Sequence, residues 1–129
     1  MKLCIDTCAY SKLGLRPREL VDCIDEAEVI YLPSIVMGEL FAGFSLGKRE
    51  KENREELIRF CDLPAVEVVP IDAAIADRYG ILVKMLRIQG TPIPTNDIWI
   101  AAAAFETGSR IVTYDSHFNC IPGILIVAP

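Results

Sequence analysis

The run IWIAAAAF at positions 98–105 has no polar residue along its length, and the segment leading into it, GTPIPTND at 90–97, carries at Asp97 the only charge between Arg87 and Glu106. A helix of isoleucine, alanine and aromatic residues has no face to offer water, so the rest of the chain must enclose it. Its alanines let a neighbouring backbone approach closely. Thr95, Asn96 and Asp97 can each cap its start, and one cap oxygen is enough, so two of the three are surplus. An aspartate at the head of an enclosed helix is either a buried charge at large cost or a ligand for something positive.

Glu39 makes a parallel case. It is the only charged residue between Glu28 and Lys48, within IVMGELFAGF, and Ile35, Val36, Leu40, Phe41 and Phe44 around it belong to a core. A carboxylate in such surroundings takes up a proton or finds a partner. Gly38 and Gly43 each cost a helix interior about 1 kcal/mol relative to alanine, which predicts close packing against them. Asp6 directly follows the apolar Leu-Cys-Ile, and Asp115 follows Arg-Ile-Val-Thr-Tyr. Either has an ordinary reading as a cap or turn residue. The remaining acids are less distinctive: Asp22, Asp25, Glu26 and Glu28 form a run typical of an exposed helix, and Glu50, Glu52, Glu55 and Glu56 alternate with bases.

Apolar runs at Lys2–Ile5, Val29–Leu32, Val66–Val69, Arg110–Thr113 and Leu125–Val127 read as strands. Helical segments are predicted at Cys8–Leu13, Pro17–Ala27 and Ile35–Leu46, the last capped at Pro33-Ser34 and stopped by Gly47. Further ones follow at Lys48–Cys61, with Leu57, Ile58 and Phe60 inward, and at Ala73–Gln89, capped by Asp72. The Asp97 helix ends at Gly108. Strands with helices between most of them give an α/β fold with a largely parallel sheet. Ligands of such sheets bind beyond the carboxyl ends of the strands, where strand order reverses. Asp6 and Asp115 lie just past strand ends.

A chain of 129 residues, 52% hydrophobic, is expected to form a single domain over 1–129. The five cysteines are odd in number and lack a CxxC pair, which fits a reducing cytoplasm. One histidine makes a Cys/His zinc site improbable. No apolar run reaches the length of a membrane span, and MKLCID leaves no room for a signal-peptide core. The net charge of −5 opposes bulk attraction to nucleic acid, although cations on four carboxylates would bring the balance close to zero. Basic residues gather at Lys12, Arg16 and Arg18 and again at Lys48, Arg49, Lys51 and Arg54, read first as solvated helix surface.

Asp6, Glu39, Asp97 and Asp115 come from four separate elements. Gathered without compensation they would repel one another and raise their pKa values. Oxygen ligands without cysteine or histidine suit Mg²⁺ or Mn²⁺, ions that hold phosphate groups and acidify water. The chemistry so implied is metal-assisted phosphodiester hydrolysis. His117 is not needed as a general base, and Trp99 reads as core in preference to a base-stacking platform.

Asp6 and Thr7 after the first strand, Glu39 in an apolar helix, PTNDIWIAAA at 94–103 and T-x-D-x-x-F at 113–118 together resemble the PIN-domain ribonucleases. Residues 108–127, GSRIVTYDSHFNCIPGILIV, are similar to the toxin half of VapBC-type toxin–antitoxin pairs. The resemblance implies a central five-stranded parallel sheet flanked by helices. It implies an acidic site of Asp6, Glu39, Asp97 and Asp115 binding Mg²⁺ or Mn²⁺, with Thr7, Asn96 and Thr113 in support. It implies endonucleolytic cleavage of structured RNA such as tRNA, a VapB-type antitoxin and a homodimer. Cys8 departs from the small polar residue frequent in the family. An RNA-processing nuclease without an antitoxin, and a module that binds metal or RNA without cutting, are the alternatives.

Overall fold

The computed structural model describes residues 1–129. Five parallel strands form one sheet: β1 (Lys2–Ile5), β2 (Val29–Pro33), β3 (Val66–Val69), β4 (Arg110–Val112) and β5 (Ile126–Val127). Their spatial order is β3-β2-β1-β4-β5. Parallel neighbours need crossover connections, and these carry the helices α1 (Thr7–Leu13), α2 (Arg18–Glu26), α3 (Ser34–Ser45), α4 (Glu50–Cys61), α5 (Ala73–Gln89) and α6 (Thr95–Thr107). A 3-10 turn, Ser116–Cys120, lies between β4 and β5. No helix is long and apolar enough to cross a membrane.

The α/β class and the five expected strands are present, with ends within a residue of those read from the sequence. Leu3, Cys4 and Ile5 of β1 are fully buried. A strand covered on both faces needs an unbroken apolar run, which Leu-Cys-Ile supplies. The chain builds outward from β1 through β2 and β3, then returns to the opposite side of β1 with β4 and β5. The reversal therefore falls between β1 and β4. Ile5 is in register with Val112, so Asp6 and Thr113 emerge side by side from the carboxyl ends of the two strands.

The enclosed helix is α6. Ile98, Ile100 and Ala101–Ala104 are buried, and the helix packs on α5, α3, β1, β2 and β4. Burial of each isoleucine contributes about 1.5–3 kcal/mol. Trp99 is half-buried and stacks on Tyr79 of α5 at 3.8 Å, as core and not as an open platform. Arg78 of α5 pairs with Glu106 of α6 at 2.8 Å. Gly108 ends the helix at φ 65, and the next amide, Ser109 N, donates to Ala104 O at 3.0 Å.

Four local expectations are corrected. The cap position of α6 is Pro94, and no side chain caps it; Thr95, Asn96 and Asp97 are all surplus, because the helix begins a residue earlier than the polar triplet suggests and Pro fits a helix start. Ser34 is the first residue of α3 and not its cap, and its hydroxyl accepts from Ile71 N at 3.3 Å. Gly38 and Gly43 are exposed with nothing near an added Cβ, so no close packing explains them. Ile58 is exposed while Leu57 carries the buried face of α4.

Candidate functional site

Asp6 is 3% exposed and has both carboxylate oxygens engaged. One accepts from Ala9 N at 2.8 Å, capping α1. The other accepts from the Thr113 hydroxyl. Thr113, itself buried, accepts in turn from Asp115 N at 2.9 Å. One hydroxyl thus ties the end of β1 to the loop after β4. The cap reading of Asp6 holds, and so does its place at the strand-order reversal.

Asp115 accepts from His117 N at 2.9 Å, a short Asx turn that opens the 3-10 segment. Phe118 of that segment is fully buried and anchors it. The turn swings the His117 ring between two carboxylates. Its Nδ1 lies 3.1 Å from Asp115 Oδ1 and 3.2 Å from Asp97 Oδ2. Asp97 projects from the first turn of α6 with its side chain 16% exposed. Donor atoms of Asp97, Asp115 and His117 all lie within 4.8 Å of one another.

Glu39, midway along α3, accepts from the Thr7 hydroxyl at 2.7 Å, which holds it against the start of α1. It is close enough to Asp97 to raise that group's pKa. Asn96 is exposed on the first turn of α6. The four acids therefore gather at the carboxyl end of the sheet, with Asp97 and Asp115 in the tight triangle and Asp6 and Glu39 outside it, held by hydroxyls. Of the supporting residues, Thr7 and Thr113 each bond a carboxylate.

The electrostatics follow from this crowding. Burial pushes the Asp6 carboxyl above its ordinary range, the bonds from Thr113 and Ala9 pull it back, and Asp115 and Asp97 push it up again. Asp97 is raised first by burial and then by Asp115, with His117 opposing and Glu39 adding to the rise. None of the four acids pairs with a lysine or arginine. A group of oxygens that repel one another, with one imidazole as the sole basic neighbour, fits a divalent cation by its donor chemistry.

Sequence reasoning weighed His117 only as a general base and set it aside; the structure places its ring against Asp97 and Asp115 and its amide on the Asp115 loop. The available signal was its position two residues after Asp115, where an Asx turn brings the following ring back over the carboxylate. From the basic clusters, Lys12 lies over the Tyr114 ring at 4.5 Å and Arg54 over Phe41 at 4.3 Å. Arg16 and Arg49 line a cleft of about 600 Å³ with Tyr10, Phe44 and Phe60. That cleft contains none of the four acids.

Comparison with known proteins shows the family of this fold. Residues 3–123 match the model of the PIN domain. The chain is 32% identical over 117 residues to the plasmid stability protein StbB of Pseudomonas syringae pv. tomato, covering 85% of this chain and 84% of the relative. It is 28% identical over 93 residues to the ribonuclease VapC4 of Mycobacterium tuberculosis, 72% of each chain. Among solved structures, VapBC2 from Rickettsia felis bound to a promoter DNA fragment aligns over 98% of both chains with a TM-score of 0.86 and 25% identity.

Proposed function

The chain belongs to the PIN-domain family, and on that footing we propose that it is a metal-dependent endoribonuclease, the toxin of a VapBC-type pair. The observation that carries the reading is the acidic cluster itself: Asp97 and Asp115 within 4.8 Å of each other, Asp6 and Glu39 beside them, and no lysine or arginine paired to any. Asp6, Glu39, Asp97 and Asp115 form the catalytic and metal-binding set in this proposal. The cation is Mg²⁺ or Mn²⁺, and the substrate is structured RNA such as tRNA.

A cation bound there supplies positive charge to the phosphodiester oxygens and acidifies water. Asp97 and Asp115 would hold it most directly, with Asp6 and Glu39 completing the set. Thr113 fixes Asp6 relative to Asp115, so the carboxylates keep their spacing as RNA arrives. Thr7 orients Glu39 toward the same cluster. The water oxygen bonds to phosphorus while a carboxylate takes the proton that water releases; the bond to the departing ribose oxygen breaks, and that oxygen takes a proton from solvent to leave as a hydroxyl. No serine or cysteine nucleophile is needed. Lys12, over the Tyr114 ring next to Asp115, and Arg16 meet the RNA backbone.

The VapBC complex in Rickettsia felis supports a VapB-type antitoxin as partner, and we place the protein in the cytoplasm as a homodimer. The test is expression with and without the adjacent small open reading frame, together with cleavage of total RNA. Growth arrest relieved by the neighbour's product, with discrete RNA cuts in the presence of Mg²⁺ or Mn²⁺, is the expected result. Cleavage without arrest and without such a neighbour indicates an RNA-processing nuclease. Binding of RNA without turnover in either metal indicates a binding module and contradicts the proposal.

A further inference from the structure

Resting on the metal-dependent reading of this site, we infer that His117 Nδ1 is a direct ligand of the cation held by Asp97 and Asp115, and that it biases the site toward Mn²⁺ over Mg²⁺. One donor atom each from Asp97, Asp115 and His117 lies within 4.8 Å of the other two, a span that one coordination sphere can hold. Bonds near 2.1 Å in an octahedron separate adjacent donors by about 3 Å. Nδ1 stands 3.1 Å from Asp115 Oδ1 and 3.2 Å from Asp97 Oδ2.

The ring is not required to hold the Asp115 loop. The backbone amide of His117 already pins Asp115 Oδ1 at 2.9 Å, and Thr113 pins the Asp115 amide. Buried Phe118 fixes the turn that carries the ring, so Nδ1 is preplaced. The His117 side chain is 49% exposed, which leaves the ring's outer edge open. Mn²⁺, a softer transition-metal ion, tolerates an imidazole nitrogen among its ligands better than Mg²⁺, which takes oxygen ligands almost exclusively. An N,O,O donor set therefore changes which cation the site prefers, while an all-carboxylate site would not discriminate in that way.

The chain contains one histidine, so an imidazole nitrogen coupled to bound Mn²⁺ in tag-free protein has a single source. Electron spin-echo modulation of the Mn²⁺-loaded protein should show directly bound ¹⁴N, and His117→Gln should lose it. In calorimetric titrations His117→Gln should weaken Mn²⁺ binding by about tenfold and Mg²⁺ binding by much less. His117→Asn, with a shorter side chain, should behave likewise, and circular dichroism checks that both variants fold.

Bound Mn²⁺ with no ¹⁴N coupling in the parent protein overturns the inference, as does an equal loss of Mn²⁺ and Mg²⁺ affinity. Either result, with metal-dependent RNA cleavage intact, leaves the nuclease reading standing. Failure of the parent protein to bind Mn²⁺ overturns the inference alone, and failure to bind either cation refutes both.

Discussion

Replacing Asp97 with asparagine keeps the shape of the side chain and removes its charge. RNA cleavage should fall by at least about a hundredfold, since a ligand of the reacting centre is lost. The fold should persist, because Asp97 caps nothing and its neighbours repel it. In chelator, the variant should melt at or above the temperature of the parent. Thr113→Val is the opposite case. It removes a buried hydroxyl that serves both Asp6 and Asp115 N, and it should cost about 1–3 kcal/mol of stability together with most of the activity. The pH dependence has a definite sign. Asp6 and Asp97 are raised in the folded state, so the native protein binds more protons than the unfolded chain above the ordinary carboxylate range. Their contribution to the stability of the metal-free protein declines as pH rises from the unfolded value through the folded one. Thermal melts in chelator should show a higher Tm on the acid side of that window, and a divalent cation at neutral pH should recover the difference. Asp97 and Glu39 were legible as residues because each is a lone charge in an apolar stretch. His117 was not, since its role depends on a ring orientation set by the Asp115 turn.

Among the elements, α6 was read correctly as an enclosed helix, because eight successive residues without a polar group leave a helix no wet face. Its start was misplaced by the three polar residues before Ile98, since Pro94 takes the cap position. The glycines of α3 were read as signs of close packing, yet both face open space. Glycine in a sequence does not say which side of a helix it occupies. The correction is testable: Gly38→Ala and Gly43→Ala should each stabilise the protein by about 0.4–1 kcal/mol in denaturant unfolding. Gly108→Ala should act in the opposite direction by about 1 kcal/mol, because Gly108 sits at φ 65. If all three substitutions moved stability the same way, the assignment of exposed helix for two and left-handed cap for the third would fail.

For the whole molecule, the parallel order β3-β2-β1-β4-β5 turns four acids spread from position 6 to position 115 into neighbours. The class of fold was legible in alternating strands and helices, and the carboxyl-end location of Asp6 and Asp115 in their places after apolar runs. The strand order itself was not read from the sequence, because parallel register leaves no local signature comparable to a hairpin turn. The account stands on these acids holding a cation that enables cleavage. Its most direct test is cleavage-site mapping on cellular RNA by the parent protein and by Asp97→Asn, each with Mg²⁺ or Mn²⁺ and each in chelator. Discrete cuts made only by the parent protein, and only with cation present, are the predicted result. The same cuts made by Asp97→Asn, or by the parent protein in chelator, would contradict it.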